Sequence, residues 1–250
     1  MSAAFGSPRW LTAFIDFPTS EFDAGTRFWL AATGYELSAP RGEQAEFATL
    51  VPPEGDDYLR VQRLGDGPTR LHLDVHVDDP WAAAEQAEAA GATLVDSSQH
   101  SYLVLRSPAG IVFCLVTARL TSVPAATGWP EGHDSRVDEV VFDIPEPDLE
   151  AELGFWKSLA GGSWRAVDGD YPFEARAAER WALRLRLQPA AVATAPVGHL
   201  HIRTADRAAE VARLVASGAV VVAVRAGWTV LSGPGGMSLC VLETAGDIAD

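Results

Sequence analysis

Short runs in which apolar and polar residues alternate recur along the chain, bounded by Gly, Pro or Asp, and this period of two predicts strands. In residues 71–77, His72, Asp74 and His76 share one face while Leu73, Val75 and Val77 share the other. Strands are also expected at 10–17, 46–51 and 58–64 before it, and at 93–96, 102–106 and 110–117 after it. Two segments carry helix signals. Ser20 with Asp23 makes a capping-box-like start for a helix that Gly34 ends, and Asp79-Pro80 caps and opens a helix running to Ala90 that Gly91 stops.

The pattern then repeats. Asp16-Phe17-Pro18 recurs as Asp143-Ile144-Pro145 and Phe28-Trp29 as Phe155-Trp156, an offset of 127 residues (143 − 16); Gly34 then matches Gly161. At the same offset His72-Leu73 and Gly91-Ala92 match His199-Leu200 and Gly218-Ala219. One residue is then lost, and Pro108, Gly110 and Cys114 match Pro234, Gly236 and Cys240. Self-similarity at this period implies two modules, 8–118 and 135–244, joined by a linker at 119–134 that is rich in Pro, Gly, Ser and Thr and has no periodicity. Each module reads as strand, helix and three strands, twice over. The expected fold class is therefore α+β, with helices covering the outer face of a curved, mostly antiparallel sheet and the other face left as a hollow for a ligand.

The segments RLHLDVHVDDPWAAAEQAEAAGATLV with VLRSPAGIVFCLV, and GHLHIRTADRAAEVARLVASGAVVV with VLSGPGGMSLCVL, each resemble the second half of a glyoxalase-like domain. The first halves agree, a strand ending in Asp-apolar-Pro leading to a helix with Phe-Trp. Over nearly its whole length the chain thus resembles the glyoxalase, bleomycin resistance and extradiol dioxygenase (vicinal oxygen chelate, VOC) superfamily, as tandem domains. That resemblance implies two modules of two βαβββ units each, but not a reaction, because the fold hosts several chemistries. It also implies where metal ligands would stand. They are Thr12, His72 and Cys114 in the first module, with a further slot near 58–60, and Glu139, His199 and Cys240 in the second, with a slot at Leu183 or Arg184. The expected terminal carboxylate is cysteine both times, which departs from the 2-His-1-carboxylate and glyoxalase sets.

Other residues could act without metal. His199, His201 and Arg203 share a strand face, as do Arg184 and Arg186 in WALRLRLQ; together they would make a cationic hollow suited to a carboxylate, enolate or phosphate. The first module offers the more mixed set Arg60, Gln62, His72, Asp74 and His76. Tyr102 and Trp228 occupy matching strand positions and either line or seal the hollows, whereas Trp29 and Trp156 read as packing. Pro-Ala-Gly and Pro-Gly-Gly, at 108–110 and 234–236, lack the lysine and spacing of a phosphate loop and read as turns.

Composition narrows the partners. The 250 residues carry 34 acidic against 19 basic side chains, a formal charge of −15, which repels nucleic acid and anionic lipid. No apolar run approaches the roughly eighteen residues of a membrane span, and the opening MSAAFGSPRW lacks a basic-then-apolar leader, so a cytoplasmic protein is expected. Two cysteines in apolar runs read as buried thiols. The leading expectation is a small-molecule-binding protein, with an anionic ligand among the candidates, that sequesters or processes its ligand in a cupped sheet without a full metal site or other cofactor. Two alternatives stand beside it: a divalent-metal enzyme of glyoxalase/lyase or extradiol dioxygenase type using Zn, Fe, Mn or Ni, and a non-catalytic protein-interaction scaffold. Monomer and homodimer are both open.

Overall fold

In the computed structural model, residues 8, 10–99, 101–117, 120–160, 163–165, 174–176 and 181–244 are described; Gly161, Tyr171 and the module-linker boundary at 118–119 lie outside them. Within these residues the expected unit occurs four times. The first is β1 (Trp10–Pro18), α1 (Phe22–Thr33), β2 (Glu36–Leu37), β3 (Phe47–Val51) and β4 (Leu59–Leu64). The second is β5 (Arg70–His76), α2 (Pro80–Ala89), β6 (Thr93–Asp96), β7 (Tyr102–Arg106) and β8 (Val112–Val116). After a two-residue strand β9 (Thr127–Gly128) come β10 (Asp134–Pro145), α3 (Leu149–Ala160), β11 (Ser163–Arg165), β12 (Glu174–Arg176) and β13 (Arg184–Ala190). The last is β14 (Val197–Thr204), α4 (Arg207–Ala216), β15 (Val220–Val224), β16 (Trp228–Ser232) and β17 (Ser238–Glu243).

The strands form two mixed, curved sheets of matching order, β2-β3-β4-β1-β5-β8-β7-β6 and β11-β12-β13-β10-β14-β17-β16-β15, with β9 paired to β10. The β5–β8 and β14–β17 pairs are parallel, and hairpins such as β7–β8 and β16–β17 are antiparallel. This is the α+β architecture that the repeated alternation predicts.

Helix signals were obeyed unevenly. Asp79 accepts hydrogen bonds from the Trp81 and Ala82 amides and Pro80 opens α2, as expected. Gly34 ends α1 at φ 72°, a left-handed conformation that a side chain disfavours. The proposed Ser20 cap is not used. The Glu21 amide donates to Pro18 O at 2.9 Å, so Ser20 sits on an exposed turn and α1 starts without a side-chain cap. The strands β2 and β9 were not foreseen, since two residues carry no period.

By packing, the chain divides into two compact units. One holds the described residues up to Phe14 with Leu71–Val123 and Val141–Gly198; the other holds Ile15–Arg70, Pro124–Val140 and the described residues from His199 on. In the first, Leu73 and Val75 of β5 and Phe113 and Leu115 of β8 are buried, and the Phe113 ring lies 5.7 Å from Phe155 and 5.4 Å from Trp156 of α3. Buried Glu152 on α3 accepts from Trp156 Nε1 and from the Ala109 amide, both at 2.7 Å. Burial raises its carboxyl pKa, against the lowering effect of these donors and of the Ser107 hydroxyl.

In the second unit Phe28 meets Trp29 edge-on at 5.6 Å, and Gly25 makes room for the Phe17 ring, which a Cβ at that position would overlap. Glu210 of α4 is fully buried, accepting from His133 Nε2 at 2.9 Å, Ser135 Oγ at 2.9 Å and Arg213 Nη2 at 2.7 Å. Arg213 in turn covers the Trp129 ring at 3.5 Å and donates to the Ala31 and Ala32 carbonyls at the end of α1. Trp129 and His133, within the segment read as unpatterned linker, and Ser135 just after it are thereby tied to helices of their own unit.

Candidate metal and ligand site

Parallel pairing brings the chemistry-bearing residues together. Asp74 of β5 lies opposite Cys114 of β8, and His201 of β14 lies opposite Cys240 of β17. Because side chains alternate, His72 and His199, two residues earlier, share those faces. The result is two clusters, one per compact unit: His72, Asp74 and Cys114, and His199, His201 and Cys240, all six side chains buried. Within each, one donor atom per residue lies within 4.8 Å of the others. Both cysteines are free thiols, as their apolar flanks imply.

The clusters differ in what holds them. In the first, the Phe14 ring stacks on His72 at 4.4 Å and 14°, and His76 Nε2 is hydrogen-bonded to Thr12 Oγ1 at 2.9 Å. In the second, Glu139 of β10, with no exposed surface, places Oε2 2.6 Å from His201 Nδ1. That bond makes Nδ1 the protonated nitrogen and turns the lone pair of His201 Nε2 toward His199 Nε2, 3.2 Å away. Two nitrogens bound to one tetrahedral ion at ordinary zinc–nitrogen distances stand about 3.3–3.4 Å apart. The same spacing accommodates a proton on His199 Nε2 donated to His201. A metal ion therefore fits the second cluster through His199, His201 and Cys240, with Glu139 behind His201 in the orienting place that a carboxylate commonly takes.

Of the residues expected to line a cationic hollow, Arg203 is paired: its Nε lies 2.7 Å from Asp138 Oδ2 and its Nη2 3.9 Å from Glu139 Oε2. Arg60 is paired with Asp57 at 2.9 Å, and Gln62 lies half-buried on the same strand. Arg186 is buried and Arg184 half-buried on β13. Tyr102 and Trp228 open β7 and β16 half-buried, in register with Val116 and Leu242. Trp29 and Trp156 are core, and the Gly110 and Gly236 amides close the two turns. Tyr58, near one expected ligand slot, is buried with its hydroxyl 3.1 Å from that of Tyr35, and burial raises both phenol pKa values. Among the described residues, sequence reading missed Asp138 as the partner of Arg203, Phe14 as the stacking ring and Glu210 as a buried hub. Only Glu210 left a trace: four residues before Leu214, it shares the buried face of α4.

Comparison with known proteins agrees with this geometry. The family model described as glyoxalase-like domain matches residues 12–116 and 139–242. The chain belongs to the glyoxalase-like domain family. The domain occurs twice, once in each repeat. The Mn(II)-bound glyoxalase from Novosphingobium aromaticivorans is similar at TM-score 0.66 and 17% identity, over 97% of this chain and 83% of that one. A mutant 4-hydroxymandelate synthase from Streptomyces coelicolor is similar at TM-score 0.64 and 14% identity, over 99% and 95%. The 2,2',3-trihydroxybiphenyl 1,2-dioxygenase from Sphingomonas wittichii is similar at TM-score 0.63 and 16% identity, over 97% and 93%. These likenesses establish the fold. No curated protein matches this chain. Among the described residues no helix is long and apolar enough to cross a membrane.

Proposed function

We propose that this protein binds a small oxygenated molecule at a divalent metal ion held by the second cluster, within two glyoxalase-like modules spanning 8–118 and 135–244. The observation that carries this reading is the Glu139–His201–His199 array, 2.6 Å and 3.2 Å, beside Cys240. His199, His201 and Cys240 hold the ion, and Glu139 fixes the His201 tautomer and offsets charge inside a buried site. The ion supplies Lewis-acid polarisation of a bound oxygen. The Mn(II)-bound glyoxalase and the dioxygenase among the structural relatives support this divalent-metal alternative over a metal-free cup.

Metal-free sequestration is the second reading. It is favoured by cysteine at both terminal ligand positions and by the hydrogen-bond chain from His199 through His201 to Glu139, which closes without an ion. The deciding test is metal content of protein purified without a histidine tag or chelator, beside His199→Ala and His72→Ala variants. Near-stoichiometric metal, lost with His199→Ala and kept with His72→Ala, supports the proposal. Protein that neither retains a divalent metal nor binds one on reconstitution overturns it and leaves the metal-free reading.

A further inference from the structure

Resting on the metal reading above, we infer that the ion in the second cluster is thiophilic, of the zinc or cobalt class, bound through the Cys240 thiolate, with Glu139 as a positioning residue rather than a ligand. Cys240 faces His201 across the parallel β14–β17 pair, and a thiol near two imidazoles is a soft donor set that suits zinc over the oxygen-preferring manganese. Glu139 spends its close oxygen on His201 Nδ1, the nitrogen turned away from His199. Charge agrees. A dication, one thiolate and the Glu139 carboxylate sum to zero, and Arg203 is neutralised by Asp138, so the occupied site needs no further counter-ion. The chemistry that follows is polarisation of a substrate oxygen by an ion that keeps its oxidation state, which favours isomerisation, lysis or addition over oxygen activation.

Cobalt(II) titration of the metal-free full chain tests this without any substrate. Thiolate ligation produces an intense sulfur-to-cobalt absorption in the near ultraviolet, and tetrahedral geometry produces visible bands that outweigh those of aqueous cobalt. The expected result is both signals at one equivalent, with the near-ultraviolet band abolished by Cys240→Ser and retained by Cys114→Ser. Glu139→Gln should keep the band while weakening cobalt affinity by about 10–100-fold. Cys240→Asp should lower the preference for zinc over manganese by about tenfold or more. Cobalt bound without the near-ultraviolet band, or a band indifferent to Cys240→Ser, overturns the inference while the metal reading stands. A Glu139→Gln protein with unchanged affinity overturns the positioning role. Failure of zinc, cobalt, manganese and iron alike to bind overturns the metal reading itself.

Discussion

The two repeats keep the same histidine and cysteine and change nearly everything around them. Where the first has Thr12, Asp74 and His76, the second has Glu139, His201 and Arg203, each at the offset of 127 residues. Thr12 hydrogen-bonds His76 through its hydroxyl, whereas Glu139 makes a short bond to His201 and lies 3.9 Å from Arg203. A duplicated scaffold thus sets a threonine hydroxyl against a histidine in one repeat and a buried glutamate carboxylate against a histidine in the other. Stability should expose the difference. In metal-free protein Glu139→Ala leaves His201 Nδ1 without its buried carboxylate acceptor, while Arg203 keeps Asp138, and should cost about 1.5–3 kcal/mol. Thr12→Ala removes one hydroxyl hydrogen bond and should cost about 1 kcal/mol. Urea unfolding of the two variants measures both, and equal losses would erase the distinction.

A smaller effect sharpens the contrast between the two compact units. Glu152 and Glu210 are both fully buried on helices, yet their carboxyl pKa values move in opposite directions. Burial raises both. Around Glu152 only neutral donors oppose it, and the shift stays upward. Around Glu210 the hydrogen bonds from Arg213 and His133, then the Arg213 charge and the Ser135 bond, outweigh burial and turn the shift downward. The depressed Glu210 stabilises the fold above the ordinary glutamate pKa, and that contribution is lost as pH falls through its lower folded value. The raised Glu152 acts oppositely: acidification through its folded value protonates the native state first, so stability rises on the way down to the ordinary value. Glu210→Gln should cost about 1–3 kcal/mol at neutral pH and flatten the acid limb. Glu152→Gln should flatten the rise above it. Thermal melts across pH 3–7, a range of about four units bracketing the ordinary carboxylate values, read both slopes; limbs of the same sign would refute the assignment.

Legibility in the sequence follows the range of the interaction. Alternation marked 93–96 and 102–106 to the residue, and placed His72, Asp74 and His76 on one face, because strand period is a local property. The 127-residue offset, with Pro and Gly at matching turns, exposed the duplication. What sequence could not show is pairing through space. Glu210 meets His133 and Ser135 across more than seventy residues, |i−j| 77 and 75, and Arg203 meets Asp138 across sheet neighbours whose register no pattern announces. Even the local Ser20 cap failed, since a turn closed by Pro18 O moved the N-cap one residue on, to Glu21.

The smallest effect lies in the matching helices α2 and α4, which begin alike and are capped unequally. Asp79 accepts two backbone N–H groups, from Trp81 at 3.0 Å and Ala82 at 3.1 Å, and is followed by Pro80. Asp206 accepts one, from Ala209 at 2.9 Å, and has Arg207 at the first helical position, whose guanidinium donates to the Arg225 and Ala226 carbonyls. Losing a cap exposes the orphan donors it served, at about 1 kcal/mol per cap, and two served donors should place Asp79→Ala at the upper end and Asp206→Ala at the lower. The buried faces bias the comparison the same way. Helix α2 buries only Ala83, Ala84 and Ala87 and leans more on its cap, whereas α4 is anchored by Leu214 and the Glu210 network. Amide hydrogen exchange of the first turns resolves this directly: Asp79→Ala should speed exchange in the first turn of α2 more than Asp206→Ala does in that of α4. The reverse order would mean that packing, not capping, decides how each repeat's outer helix is held.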